Sequence, residues 1–450
     1  MTTFLGSVWW MIVSLGVLVT FHEFGHYWVA RRNGVKVLRF SIGFGKPLWT
    51  RMGRDGTEYV IAALPLGGYV RMLDEREGDV AEADRDSAFN RKSVWQRIAI
   101  VAAGPIANLL LCLVLLWAMF VIGRPDYQPV LGQVQGIAAE SGLSRGDTLL
   151  AIGDRPTPTW SEAAMALTTA ALDRGDVDVR LRTAQGNEAS RTLRLSTLPV
   201  DVDQRRLISA IGMIPRAFVL PPEVGAVRED SAAWGVLAEG DRITAIDGTR
   251  VHVFADIGPL VQELGAQGGG MIEVERDSSR LALEITPRMT EDAGREPFWA
   301  LGIEPDASQA AVHDATLRHG PLAAIPAAGA ETWRLARDTV GMVWRMVSGR
   351  ASMEHVSGPI TIARYANASA GMGPAWFLSF LALLSLSLAI INLLPIPILD
   401  GGHLLYYLIE LVKGSPLSEQ AMVAGQYVGL AMLAGLMGLA FYNDILQLVR

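Results

Sequence analysis

Disulfide bonds within this chain are excluded, because its 450 residues include a single cysteine, Cys112. An excess of basic charge is also lacking: the formal net charge is −7, which argues against a nucleic-acid partner. Charged side chains are absent altogether from residues 1–21, 98–122, 365–399 and 420–443. Each of these stretches can cross a bilayer, which takes about 20 apolar residues. The sequence therefore predicts a polytopic α-helical membrane protein with four transmembrane helices, at residues 1–30, 98–122, 374–400 and 420–443.

The distribution of basic residues predicts the orientation in the membrane. No Lys or Arg precedes position 31, and seven follow between positions 31 and 54 without an acidic residue among them. Basic residues concentrate in short cytoplasmic loops. We therefore expect residues 31–97 on the cytoplasmic side, and both termini and the long segment after the second helix on the outer side.

That long segment, residues 124–320, is typical of globular sequence and contains a repeat. Residues 138–154 and 231–248 share the frame L-x-x-G-D-x-[LI]-x-A-I, and their Gly-Asp pairs lie 94 residues apart. The alternating apolar residues after each pair predict a strand. The pattern resembles the PDZ domain and predicts a tandem β-rich insert, with copies at 126–220 and 221–310. Two unrelated β-rich domains are the alternative.

Two other segments are expected to lie beside the membrane helices without crossing the bilayer. Residues 58–73 predict two short strands around Pro65 and Gly67-Gly68, either as a membrane re-entrant β-hairpin or as a plain cytoplasmic hairpin. Residues 315–370 predict amphipathic helices at the outer interface, with a solvated surface helix as the alternative. The residues that can share the apolar face are Trp333, Val340, Val343, Trp344 and Val347.

The first apolar stretch ends in His22-Glu23-Phe24-Gly25-His26, an H-E-x-x-H pattern. Ionisable groups at bilayer depth cost several kcal/mol, so they are functional candidates. On a helix, imidazoles at i and i+4 project from one face and can bind one Zn²⁺, and the adjacent Glu23 can act as a general base. Two core histidines satisfied by neighbouring helices are the alternative, which this spacing weakens. We expect one Zn²⁺ per chain.

A catalytic zinc site usually takes three protein ligands. Asp400 closes the third uncharged stretch, and His403 follows it. His22, His26 and Asp400 all lie at the inner ends of helices expected to run inward, so they can share one depth near the cytoplasmic face. Asp400 is the predicted third ligand. The alternative is that His403 is a ligand, or that it contacts a ligand without binding the metal itself. The other histidines are expected to be ordinary residues of the outer side: His252, His313, His319 and His355.

Several segments together resemble the site-2 protease family of intramembrane zinc metalloproteases. They are H-E-F-G-H in the first stretch, AGPIANLLLC in the second, NLLPIPILDGG in the third, and RFSIGFGKPLW, LPLGGYVRMLDE and SGPITIA between them. The resemblance covers nearly the whole chain. It implies a zinc metalloendopeptidase of a bacterial inner membrane, with His22, His26 and Asp400 as metal ligands and Glu23 as the catalytic residue.

Substrate binding is predicted at two places. The resemblance implies that Asn392, Pro395 and Pro397 handle substrate. A strand edge in residues 58–73, including Gly67, Gly68 and Tyr69, is predicted to hold an unwound substrate by β-addition. Peptide binding by the PDZ-like copies stays open, because the second copy has Trp234-Gly235-Val236 where A-G-L-like residues are commoner.

The predicted function is regulated intramembrane proteolysis in a stress response. The substrates expected from the resemblance are single-span membrane proteins, such as an anti-sigma factor already cut on the outer side, and also signal-peptide remnants. The alternative is a non-enzymatic PDZ-bearing scaffold or a transporter with a structural metal site. A transporter would show ionisable residues in several spans and repeated spans, which this sequence lacks.

Overall fold

The computed structural model describes residues 2–199, 207–290, 297–306, 311–348 and 358–449. The chain divides into two compact units. The first, which we call the membrane unit, combines Met1–Arg124 with Arg318–Arg450, and the second, the insert, is Pro125–Leu317.

The membrane unit begins with two long apolar helices and two strands between them. These are α1 (Thr2–Arg32), β1 (Val37–Met52), β2 (Glu58–Met72) and α2 (Val94–Ile122). A capping box begins α2: the Ser93 hydroxyl accepts from the Gln96 N–H, and the Gln96 side chain accepts from the Ser93 N–H. Helix α2 packs against α1 and against several later helices of this unit, and it buries Ile100, Leu116 and Met119.

Strands β1 and β2 are both bent, and their four halves lie side by side in one small sheet. Residues 39–42 of β1 pair with 68–71 on one side and with 58–61 on the other, and 58–61 also pair with 49–52. Residues 68–72 and 47–52 are therefore the two edges of this sheet. Where two short strands were expected in 58–73, one bent strand covers Glu58–Met72, because both of its halves find a pairing partner in β1.

The insert is built from short helices and strands. In chain order they are β3 (Arg124–Asp126), β4 (Leu131–Val134), α3 (Gly136–Glu140), β5 (Thr148–Ile152), β6 (Arg155–Pro156), α4 (Trp160–Asp173), β7 (Val177–Arg182), β8 (Glu188–Leu193), α5 (Leu207–Ile211), β9 (Met213–Pro215), β10 (Val224–Val227), β11 (Arg242–Ile246), β12 (Thr249–Arg250), α6 (Ile257–Ala266), β13 (Gly270–Arg276), β14 (Ser279–Ile285), β15 (Arg288–Thr290), β16 (Phe298–Ala300), β17 (Ile303–Pro305) and β18 (Ala315–Leu317).

The sequence repeat has a structural counterpart in the insert. Two four-stranded sheets have the same order, β6-β5-β7-β8 and β12-β11-β13-β14. Before each sheet, a buried aspartate accepts the backbone N–H three residues earlier: Asp147 from Ser144 and Asp241 from Ala238, both at 2.8 Å. The repeated Gly-Asp pairs therefore close equivalent turns. That the two copies are PDZ domains stays a prediction.

In its described residues the membrane unit continues with five helices, α7 (Ala324–Val347), α8 (Pro359–Gly371), α9 (Pro374–Leu393), α10 (Asp400–Lys413) and α11 (Glu419–Val449). Helix α9 ends at Leu393, before the expected end of the third span at residue 400. Pro395 and Pro397 follow and cannot continue a helix, so Asp400 begins a separate one. His355 lies outside the described residues.

Among the described residues, four helices are long and apolar enough to cross a membrane. They are Thr3–Arg32, Val94–Ile122, Pro374–Leu393 and Gln420–Leu446. The predicted fold class, four apolar helices with a β-rich insert, is confirmed at this level. The depth of the β1–β2 sheet stays a prediction.

Candidate metal centre

Three side chains from distant parts of the sequence meet at one point of the membrane unit. His22 and His26 come from α1, and Asp400 is the first residue of α10. The two Nε2 atoms are 3.2 Å apart. Asp400 Oδ2 lies 3.2 Å from Nε2 of His22 and 3.4 Å from Nε2 of His26. Each residue therefore presents one potential ligand atom toward a common centre.

These separations fit zinc. Zinc binds nitrogen and carboxylate oxygen at about 2.0–2.2 Å in tetrahedral sites, so two ligand atoms are about 3.3–3.6 Å apart. The three observed separations, 3.2 to 3.4 Å, lie at the lower end of this range or within 0.1 Å of it. Asp400 Oδ2 is buried and has no hydrogen bond of good geometry among the described residues. The groups nearest to this oxygen are the two Nε2 atoms, and a cation between the three ligand atoms would neutralise the carboxylate charge.

Two glycines allow α1 and α2 to approach closely enough to form this centre. A Cβ at Gly25 would lie 2.3 Å from the backbone oxygen of Ala103. A Cβ at Gly104 would lie 2.3 Å from His26 Nε2 and 2.8 Å from His22 Cε1. Sequence reasoning assigned no role to either residue, although both glycines lie inside the segments H-E-F-G-H and AGPIAN.

A backbone carbonyl orients the second histidine. His26 Nδ1 lies 2.9 Å from the carbonyl oxygen of Ile100, so Nδ1–H donates to it. The proton is thereby placed on Nδ1, and the lone pair of Nε2 is left for a metal ion. Metal-binding histidines commonly have such a partner on the other ring nitrogen.

Close backbone packing and a buried ion pair hold α10, and with it Asp400, in place. Cβ atoms at Gly401 and Gly402 would lie 2.2 Å from the Leu394 oxygen and 2.4 Å from the Ile396 oxygen, so the start of α10 packs directly on the loop before it. Further along α10, Glu410 accepts from Arg97 of α2 at 2.7 Å, with the two side chains 12% and 11% exposed. Helix α10 is thus fixed both to the proline-containing loop and to α2.

Glu23 lies beside the three potential ligands and against an edge of the β1–β2 sheet. The backbone N–H of Val70 faces its half-buried carboxylate. A Cβ at Gly68 would be 3.1 Å from Glu23 Cγ. The edge formed by residues 68–72 therefore faces Glu23. Tyr69 lies on this edge, and its hydroxyl accepts from Arg39 at 3.1 Å.

The other predicted substrate-binding residues follow the third span. Asn392 is half-buried in the last turn of α9, and Pro395 and Pro397 lie in the loop before α10. Pro397 also lines a cavity of about 410 Å³, together with His403 of α10 and Tyr427 of α11. His403 is outside the group formed by His22, His26 and Asp400. Gly67 lies at the bend of β2, next to the Phe44 ring.

The remaining described histidines are not part of this group. His252 and His313 are exposed, and His313 stacks on Tyr127 with the ring centroids 4.8 Å apart. His319 is half-buried, 5.0 Å from the Phe120 ring.

An H-E-x-x-H helix that meets a carboxylate from a second helix, among helices able to cross a membrane, defines the class of membrane metallopeptidases. Comparison with known proteins specifies the family: the model of Peptidase family M50 matches residues 10–436. The chain belongs to this family.

Relatives cover the full length of the chain. A protein of Xylella fastidiosa (strain 9a5c) named "Putative zinc metalloprotease" is 55% identical over 99% of this chain and 100% of its own length. The "Regulator of sigma-E protease RseP" of Escherichia coli (strain K12) is 41% identical over 100% of both chains. "Protease RseP" of Yersinia pestis is 41% identical, again over 100% of both.

The predicted membership of the site-2 protease family and the predicted zinc metalloendopeptidase activity are confirmed by these matches. The alternative of a non-enzymatic scaffold or transporter has no support from them. The individual roles of His22, Glu23, His26 and Asp400 stay predictions, as do the substrate-binding residues.

Proposed function

We propose that this chain is a zinc endopeptidase of the bacterial inner membrane that cuts single-span membrane proteins within the bilayer. One observation carries the proposal: three potential ligand atoms lie 3.2–3.4 Å apart, with Glu23 beside them. They come from the first apolar helix and from the helix that follows the third. The names of the full-length relatives support both the metal and the class of reaction.

In this proposal, His22, His26 and Asp400 hold one Zn²⁺. When bound, zinc supplies Lewis acidity that polarises the scissile carbonyl and activates a water. Glu23 accepts the proton of the attacking water and delivers it to the leaving amide nitrogen. The Val70 N–H, which faces the Glu23 carboxylate, would help to orient it for this transfer.

The edge formed by residues 68–72 is proposed to bind the substrate as an added strand. The Leu73 N–H donates to the Lys36 oxygen, toward β1. Because successive N–H groups of a strand point to opposite sides, those of Gly68, Val70 and Met72 point outward, as the contact from Val70 to Glu23 also indicates. A strand added here would lie next to Glu23. Asn392, with Pro395 and Pro397, is proposed to contact the same extended substrate.

A re-entrant position of the β1–β2 sheet is supported by its exposed apolar side chains. Leu48, Trp49, Met52, Ile61 and Leu64 are 45–72% exposed. Such a patch is unfavourable in water, and a hydrogen-bonded sheet can lie at membrane depth where protein or a cavity covers its polar edges. The basic residues between positions 31 and 54 favour a cytoplasmic position for this side.

We further propose that the insert lies in the periplasm as a tandem PDZ pair and acts as a gate. It would exclude substrates that still carry a bulky outer domain, so a first outer cut would precede cleavage. The names of the RseP relatives, as regulators of sigma-E, favour an anti-sigma factor as the substrate.

The decisive test is Glu23→Gln in the purified full-length protein. This variant should keep one zinc per chain, because Glu23 is not a ligand, and should no longer cut a single-span reporter. The matched variant Asp400→Ala should lose both zinc and cleavage. Cleavage by Glu23→Gln at the parent rate would refute the assigned role, and a parent protein without zinc would refute the metal centre.

A further inference from the structure

Asn108 of α2 is fully buried and lies behind the candidate metal centre, at His22. Its side-chain nitrogen is 3.3 Å from His22 Nδ1. Its Oδ1 is buried and has no hydrogen-bond partner among the described residues. Ser385 donates to the backbone oxygen of Asn108 at 2.7 Å and so does not hold the side chain. Within the described part of the chain, no second hydrogen bond therefore decides which end of the carboxamide faces His22.

The position of the proton on the His22 imidazole depends on which end of the Asn108 carboxamide faces it. A neutral imidazole carries one proton, on Nδ1 or on Nε2. When the Asn108 nitrogen donates to Nδ1, the proton is on Nε2, the atom 3.2 Å from Asp400 Oδ2. A metal ligand must present a lone pair at Nε2, so the proton moves to Nδ1 and needs an acceptor there. Asn108 Oδ1 is the acceptor within reach once the carboxamide has turned by about 180°.

We propose that Asn108 is a positioning residue of the metal centre: when the metal is bound, its Oδ1 accepts from His22 Nδ1–H and leaves the lone pair of His22 Nε2 for the metal. The proposal rests on the proposed function, because it takes His22 Nε2 as a zinc ligand. His26 has a backbone acceptor in the Ile100 carbonyl, whereas the proposed acceptor of His22 belongs to a side chain. The two histidines are thus prepared for the metal in different ways.

The consequence is measurable as metal affinity. Loss of such a partner on a metal-binding histidine typically weakens metal affinity about 10- to 100-fold. Asn108→Leu keeps a similar volume and removes the acceptor, so we expect a loss of this size. Asn108→Asp supplies an acceptor oxygen without a donor and should stay close to the parent. Cys112→Ala is the matched control, because Cys112 is buried one turn further along α2 and contacts Thr332 rather than the centre.

The measurement is zinc competition with a chelator on the full-length protein in detergent, together with the absorption spectrum of the Co²⁺-substituted protein. Weak binding by Asn108→Leu with parent-like affinity and spectrum in Asn108→Asp would support the proposal. If Asn108→Leu does not purify as a monodisperse protein, Asn108→Ala takes its place.

Two results would overturn the proposed role of Asn108. One is parent-like zinc affinity in Asn108→Leu. The other is zinc binding by Asn108→Asp that is as weak as that of Asn108→Leu, which would show that only packing matters at this position. A parent protein that binds no zinc, or a His22→Ala variant that binds it as tightly as the parent, would instead refute the metal centre itself. The two failures are therefore distinguishable.

Discussion

Gly104 lies so close to His26 that a Cβ at this position would be 2.3 Å from Nε2. Real Cβ atoms do not approach another atom this closely, and the nearest atoms on this side belong to the two imidazoles. Position 104 of α2 must therefore have no side chain where α2 faces the imidazoles of α1. The glycine in the segment AGPIAN is explained by the space that two ring systems need, rather than by a special backbone angle.

We expect Gly104→Ala to abolish zinc binding and cleavage while the protein still folds. The added methyl group would displace His26 Nε2 from the position it shares with His22 and Asp400. Zinc content of the purified protein and cleavage of a single-span reporter measure the effect. The control is Gly16→Ala in α1, where a Cβ meets nothing within 4 Å. Parent-like zinc content in Gly104→Ala would contradict this account of the packing.

The edge facing Glu23 gives a second prediction. Met72→Pro removes an outward-pointing N–H from this edge without touching Glu23, and proline cannot donate to an added strand. If substrate binds there as a strand, cleavage should fall about 2- to 10-fold, the equivalent of the ~0.5–1.5 kcal/mol of one hydrogen bond between uncharged groups, while zinc content stays unchanged.

The control for this edge is Leu48→Pro. Leu48 is 72% exposed and belongs to the opposite edge of the same sheet. Cleavage should be retained in this variant. Equal activity of Met72→Pro and the parent would exclude β-addition at residues 68–72.

The sequence predicted the residues of the metal centre better than it predicted the packing around them. The direction of the helices predicted that His22, His26 and Asp400 could share a depth, and their ligand atoms do lie together. This prediction needed only the alternation of spans. The third span was expected to reach residue 400, but α9 ends at Leu393, because two prolines precede Asp400 and a hydropathy pattern does not register them.

The roles of Asn108 and Gly104 could not be predicted from spacing. Asn108 is 86 positions from His22 in the sequence, and only the close approach of α1 and α2 brings them into contact. The same holds for the β1–β2 sheet, where each half of one strand pairs with β1. An alternation pattern identifies a strand but not the partner on each side of it.

The ion pair of Arg97 and Glu410 gives a third prediction, for stability. Both side chains are nearly buried, and Arg97 also lies over the Tyr407 ring at 4.8 Å. Removing one partner of a buried pair leaves an unpaired charge and costs about 3–5 kcal/mol. Glu410→Gln should therefore lower the midpoint of thermal unfolding and weaken zinc binding, because α10 carries both Glu410 and Asp400.

An exposed ion pair provides the comparison. Asp84 accepts from Lys36 at 2.7 Å, and the two side chains are 39% and 41% exposed. Such pairs contribute less than about 1 kcal/mol, so Asp84→Asn should leave both the unfolding midpoint and the zinc affinity unchanged. Equal effects of the two substitutions would show that the Arg97–Glu410 pair does not anchor α10.

The proposed gate gives the last prediction. His22, Glu23, His26 and Asp400 all belong to the membrane unit, so replacing residues 126–310 by a short flexible linker should retain zinc and peptidase activity. What should change is substrate choice. The parent should cut a single-span reporter only when its outer domain is short, whereas the shortened protein should also cut a reporter with a folded outer domain. Cleavage of both reporters in membranes measures this difference directly.

A shortened protein that binds zinc but cuts neither reporter would mean that the insert contributes to cleavage itself. One that still discriminates between the reporters would place the selectivity within the membrane unit.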